Sequence, residues 1–304
     1  MIQASGTGAR GTPGPAEEKP HALVATLSMI RFSHTVFALP FALLSAVLAA
    51  RGLPPARTLL LILLAMVGAR SAAMSFNRIV DRDVDARNPR TASRELVSGV
   101  LSVRFAAVFC AASAAVFVVA AGQLNRLCLV LSPLALAIVL GYSFTKRFSA
   151  LSHAVLGLSL AIAPVGAWIA VTGSLALEPV VLGLAVLFWV AGFDVIYSLQ
   201  DEAFDREQGL RSLPASLGSR RALLGSALFH AAALALLYGV FVLARGGILF
   251  GLGVVLAGVF LLRQHAIVRP GDLSRVDAAF FTANGWLSVA LFVFGAADVL
   301  LRGR

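Results

Sequence analysis

The chain has 304 residues, of which 59% are hydrophobic and only 13% charged. A soluble domain carries about a quarter charged residues, so one water-soluble core is excluded, and so is disorder, which needs low hydrophobicity. The formal charge of +10 at pH 7 would suggest nucleic acid in a soluble protein. Here the basic residues stand between apolar runs, where they orient a chain against an anionic membrane face. What remains is an all-α, polytopic membrane protein. Its expected partner is the lipid bilayer, with no nucleic acid and no obligate protein partner.

Residues 1–20 are rich in Gly, Pro and Ala and lack an apolar stretch. They read as a flexible tail and not as a cleavable signal. Residues 21–304 read as one transmembrane domain. Apolar runs of the length a bilayer needs, about 17–25 residues, fall near 23–50, 58–76, 105–122, 127–144, 151–172, 180–200, 222–244, 246–262 and 279–301. They predict nine spans, the eighth being short and Gly-rich. Cys110 and Cys128 lie inside apolar runs without metal or redox spacing, so they read as small core hydrophobes. A cytoplasmic amino terminus would put 18 basic residues on the cytoplasmic side and 6 on the other. That bias follows the positive-inside rule and sends the carboxyl end outside.

The acidic residues are less evenly spread. Nine of fifteen lie between Asp81 and Glu95 or between Asp194 and Glu207, at the cytoplasmic ends of spans 2 and 6. Acids at a membrane boundary are costly unless paired or bound to cations, so these clusters are candidate sites. Asn77, Asp81 and Asp85 are spaced i, i+4, i+8 and share one helix face. Tyr197, Asp201 and Asp205 repeat that spacing four spans later, and Asp194 lies two turns earlier on nearly the same face. The match predicts an internal pseudo-repeat of spans 1–4 and 5–8, with span 9 appended. Carboxylate oxygens converging in this way suit Mg²⁺, which prefers hard oxygen ligands and is usually shared with substrate phosphates. The chemistry implied is electrostatic: metal and basic side chains stabilise charge developing on a phosphate leaving group. Arg87, Arg90 and Arg94, which follow the first cluster, and Lys146 and Arg147, at the end of span 4, are the candidate clamps. Arg suits bidentate work on such oxygens.

These motifs are similar to those of a known family. NxxxDxxxD (Asn77, Asp81, Asp85) followed by RNPRTASREL, then YSFTKR (Tyr142 to Arg147), then DVIYSLQDEAFDREQGLRSLPASLG (Asp194 to Gly218) resemble the UbiA superfamily of membrane prenyltransferases. Within it the segment IRFSHTVFALPFALLSA and the phrase IYSLQDEAFDREQG resemble the 4-hydroxybenzoate polyprenyltransferases and the UbiA-like branch of menaquinone synthesis. The resemblance runs from about Ile30 to Gly218. It implies that the aspartates hold Mg²⁺ on a polyprenyl diphosphate, and that an aromatic ring carbon attacks the allylic cation left when diphosphate departs. Carried over, Asn77, Asp81, Asp85, Asp201 and Asp205 are the metal–diphosphate residues. Arg147 matches a basic residue near the substrate, Arg31 a position assigned to the aromatic acceptor, and Asp194 lines the same cavity. The family often has a Lys after the second motif where this chain has Glu207, with Arg206 beside it.

The acceptor the resemblance implies first is 4-hydroxybenzoate, in quinone biosynthesis at a bacterial cytoplasmic membrane. A menaquinone precursor of the futalosine type is the alternative acceptor. An ion-coupled transporter is the rival of another class, but transporters favour midplane sites in broken helices. A phosphotransferase of membrane alcohols would show DGxxAR…GxxxDxxxD, which is absent here.

Overall fold

The computed structural model describes residues 22–30, 37–269, 272–273 and 275–302. The expected tail and Arg31 lie outside the described residues. Those described form thirteen α-helices and no strand, apart from an isolated bridge between Arg269 and Asp272. In chain order the helices are α1 (Ala22–Met29), α2 (Leu39–Ala50), α3 (Ala56–Val80), α4 (Arg82–Arg87), α5 (Val103–Leu124), α6 (Arg126–Thr145) and α7 (Ser152–Thr172). They continue with α8 (Leu177–Ser198), α9 (Glu202–Glu207), α10 (Leu213–Leu217), α11 (Ser219–Leu243), α12 (Ile248–Ile267) and α13 (Asn284–Arg302).

Eight helices among the described residues are long and apolar enough to cross a membrane: α3, α5, α6, α7, α8 with its continuation to Glu207, α11, α12 and α13. Where the sequence predicted one first span over 23–50, the structure has the separate helices α1 and α2. The reason is Pro40, which sits in the first turn of α2. Proline tolerates that position because the first turn's N–H groups have no helical acceptor anyway. The last span differs as well. It opens with a wide π turn over Ala278–Ala283, followed by α13. The buried Asn284 amide donates to the Phe280 carbonyl at 2.8 Å and accepts from the indole N–H of Trp189 at 2.9 Å. A side chain that competes for backbone carbonyls in this way stabilises a local widening.

Within lipid, helices gain little from hiding apolar surface and associate by close packing of small residues. Gly157 brings α7 so near α8 that a Cβ there would meet the Leu187 carbonyl oxygen at 2.2 Å, and at Gly68 a Cβ would meet the α5 backbone at Ser113 and Phe117 at 2.9 Å. α7 and α11 both pack along α8, α3 packs along α5, α12 along α13, and α2 against α7. α8 is the axis of the bundle: 61% of its apolar window is buried, against 17% for the peripheral α6. Around it Phe37, Phe41, Trp189, Phe193, Phe280 and Tyr197 form a continuous aromatic column. Tyr197, at its end, brings it to the carboxyl-terminal end of α8. There the ends of α3, α6 and α8 meet, and both acidic motifs lie among them.

Candidate active site

The two motifs are built alike. The α3 ladder runs on through Asp81 N–H to the Asn77 carbonyl (2.9 Å) and Asp85 N–H to the Asp81 carbonyl (2.7 Å). Asp81 itself adopts φ −93, ψ 5, and the six-residue α4 follows. At the second motif Asp201 adopts φ −103, ψ 6, and the six-residue α9 follows. Each motif is thus a spanning helix that kinks at its first aspartate and carries its second aspartate one turn on. The kinks keep the i, i+4 spacing, so each pair still shares a face.

Between them lies a cavity of about 170 Å³ lined by Asn77, Asp81, Asp85, Arg90, Arg94, Lys146, Arg147, Asp194, Tyr197, Asp201 and Asp205. Eleven of the thirteen predicted site residues therefore meet in one place. Arg87 does not: it is exposed and donates to the Asp83 carbonyl at 3.2 Å. The thirteenth, Arg31, lies outside the described residues.

Four of the aspartates each meet a different basic side chain. Arg94 donates to both oxygens of Asp85 at 2.6 Å. Arg90 forks onto Asp201, Nε to Oδ1 at 2.9 Å and Nη2 to Oδ2 at 2.5 Å, while its Nη1 donates to the Tyr197 hydroxyl at 3.2 Å. Arg147 donates to the Val80 carbonyl at 2.7 Å and reaches Asp81 at 3.5 Å. Lys146 stands 4.0 Å from Asp205. Buried charges persist only when paired, and here the chain supplies the pairs itself. Asn77 adds a 2.8 Å bond to Asp81.

The loop after α4 locks the motifs together. The buried Asn88 accepts from the Arg90 N–H at 3.0 Å, closing a turn over Pro89, and donates to Asp201 at 3.1 Å. Thr91 donates to the Asp85 carbonyl at 3.1 Å. Sequence reasoning missed Asn88 and Thr91, although both stand in the quoted RNPRT segment. It also missed His153, a lone histidine at the start of α7 that bonds to Asp194 at 2.7 Å. No spacing in the sequence links those two residues.

The donor set fits a divalent cation by its chemistry. Carboxylate oxygens are hard ligands, and one of them, Oδ2 of the buried Asp205, has no hydrogen-bond partner. Burial, and then the neighbouring Asp85 carboxylate, push the Asp81 carboxyl above the usual carboxylate range despite Arg147. A cation beside Asp81 would relieve both effects. Among the described residues no three His, Cys, Asp or Glu side chains converge closely enough to form a metal site on their own. With four of the five carboxylates already facing an Arg or Lys side chain, a metal would have to share the site with a group that draws those cations away, as an anion would.

An all-helical membrane protein thus brings five carboxylates and four basic side chains together around one cavity at its helix ends. The chain belongs to the UbiA prenyltransferase family, whose model matches residues 38–287. It is 33% identical to a protein named 4-hydroxybenzoate octaprenyltransferase from Nitrosomonas europaea, and 32% identical to one of the same name from Nitrosospira multiformis. Each match covers 84% of this chain and 87% of the relative. Among solved structures it resembles the apo structure of a UbiA homolog from Aeropyrum pernix K1, with TM-score 0.76, 35% identity, and coverage of 89% of this chain and 98% of that one. It also shares its fold with a UbiA homolog from Archaeoglobus fulgidus solved bound to DMAPP and Mg²⁺, with TM-score 0.70, 23% identity, and coverage of 90% and 99%.

Proposed function

We propose that this chain transfers a polyprenyl group from a polyprenyl diphosphate to a ring carbon of an aromatic acceptor, 4-hydroxybenzoate, with Mg²⁺ as cofactor. The observation that carries the reading is the pairing of four carboxylates with four basic side chains around one cavity. The curated relatives, named for that acceptor and matched over 87% of their length, support the choice of acceptor over a menaquinone precursor. The charge bias of the loops supports a cavity on the cytoplasmic face of the membrane.

Asn77, Asp81, Asp85, Asp201 and Asp205 would hold the metal, which when bound neutralises charge on the leaving diphosphate. The chain's own groups do the rest. The guanidinium groups of Arg90 and Arg94, released from Asp201 and Asp85, offer forked donors to diphosphate oxygens. Lys146 and Arg147 add point charge from the other side of the cavity. Each is worth more at the departing oxygen than at the bound substrate, because charge grows there as the bond breaks. The apolar tail leaves the cavity toward lipid, and Tyr197 with the aromatic column walls the allylic carbon, whose positive charge a π face stabilises. The test is product formation by purified protein from prenyl diphosphate, 4-hydroxybenzoate and Mg²⁺. A ring-prenylated product supports the reading, and its absence with every phenolic acceptor tried counts against it.

A further inference from the structure

Five aspartates line the cavity, and four face a basic side chain. The fifth, Asp194, differs. Its Oδ2 is 2.7 Å from Nδ1 of His153. The other ring nitrogen of His153, Nε2, accepts the Leu213 backbone N–H at 3.2 Å. An imidazole nitrogen that accepts carries no proton, so Nδ1 holds the ring's hydrogen and donates it to Asp194. The ring is 1% exposed and is held between α8 and the start of α10, so its orientation is fixed. Asp194 is thus a cavity carboxylate oriented by a neutral donor, a second-partner arrangement suited to a proton acceptor.

Its depth is also apt. Asp194 lies on α8, seven residues before Asp201, which follows the end of that helix, so it stands about 10 Å nearer the bilayer interior at 1.5 Å per residue. A prenyl diphosphate seated on the aspartate pairs sends its chain that way, so its first carbon lies on Asp194's side of the diphosphate.

Resting on the function proposed above, we infer that Asp194 accepts the proton that the aromatic ring loses, with His153 as the residue that positions it. The carbon–carbon bond forms between the ring and the first prenyl carbon as that carbon's bond to oxygen breaks, and diphosphate leaves with the electron pair. The ring C–H bond then returns its electrons to the ring. The proton passes to the Asp194 carboxylate, which becomes a carboxylic acid and later releases it to water through the cavity. The step needs no further reactant. It applies to any aromatic acceptor, because every ring substitution loses a proton.

The test compares the full-length wild type with Asp194→Asn and His153→Phe, using acceptor deuterated on the ring. Asp194→Asn should lower ring prenylation about 100-fold, within the range for losing a general base. Its residual turnover should show a primary deuterium effect larger than that of the wild type, while the Kd of inorganic diphosphate with Mg²⁺ stays unchanged. His153→Phe should lower kcat about 10-fold with the KM for prenyl diphosphate unchanged, at the lower edge of that scale. It also serves if Asp194→Asn does not fold. Normal turnover in Asp194→Asn, an unchanged isotope effect, or weakened diphosphate binding overturns the assignment. So does a His153→Phe protein that changes only KM or nothing. A wild type that prenylates no phenol contradicts the proposed function instead, so the two failures are distinct.

Discussion

Arg90 touches Asp201 with two nitrogens and Tyr197 with a third, and its charge lies over the Tyr197 ring at 5.4 Å. That forked contact is what Lys cannot reproduce, since an ammonium keeps the charge but not the planar donors. Arg90→Lys should lose on the order of 100-fold in kcat, the scale for one preorganised stabiliser. Arg87→Lys, changed on an exposed side chain outside the cavity, should match the wild type in the same steady-state assay. Equal activities would remove Arg90 from the site. Arg147 is 43% exposed and 3.5 Å from Asp81, its firmest contact being the Val80 carbonyl at 2.7 Å, so it holds its carboxylate less tightly than Arg90 does. Arg147→Ala should cost a similar factor in kcat and leave membrane insertion unaltered, because many other basic residues remain in the loops to set the orientation. Wild-type turnover in that variant would reduce Arg147 to an orientation charge. That Asn77, Asp81 and Asp85, and again Asp201 and Asp205, turn toward one cavity was legible because helical period alone puts i, i+4 and i+8 on one face. The pairings were not, because Arg90 meets Asp201 across 111 positions and His153 meets Asp194 across 41. Only the folded bundle relates such residues.

At the scale of elements, each motif is a spanning helix, a kink at an aspartate and a six-residue helix, and the kinks repeat to within about ten degrees in φ. The two halves therefore present equivalent acids to one cavity. Composition could locate the apolar runs but not their internal breaks. Pro40 starts a helix inside one run, and Asn284 widens another through contacts with Trp189 that no local pattern announces. Close approach of α7 and α8 positions His153 against Asp194, and Gly157 permits it. Gly157→Ala forces a methyl into the Leu187 backbone and should destabilise by about 1–3 kcal/mol, as overpacking does. Gly166→Ala, on the same helix with nothing within 4 Å, should be neutral or slightly stabilising. Thermal unfolding in detergent distinguishes them, and equal midpoints for the two variants would contradict the packing described for α7 and α8.

For the whole molecule, the helix ends that carry the acids and their cations lie on one side, and the opposite ends are closed differently. There Asp298, 3% exposed, accepts from the Gly247 N–H at the start of α12 and from Arg302. That arrangement caps the start of α12 with a side-chain carboxylate. Reporters placed in the 92–100 loop should lie in the cytoplasm, and reporters in the 173–176 and 244–247 loops outside. A shared side for all three would refute the alternation of spans. The fold class was legible from composition, and the sidedness expected from the loop charges is what these reporters test. Enclosure was not, since α8 and α6 are similarly apolar yet one is the axis and the other the rim. The central claim is that a metal-assisted, diphosphate-releasing prenyl transfer occurs at the paired aspartates. Its most direct test is to incubate purified wild type and Asp201→Ala with prenyl diphosphate and 4-hydroxybenzoate, with Mg²⁺ and with a chelator, and to quantify ring-prenylated product against released diphosphate. The expected result is equal amounts of both from the wild type with Mg²⁺, and neither from the chelated enzyme or the variant. Product formed at the wild-type rate by Asp201→Ala, or without a divalent cation, would contradict the account.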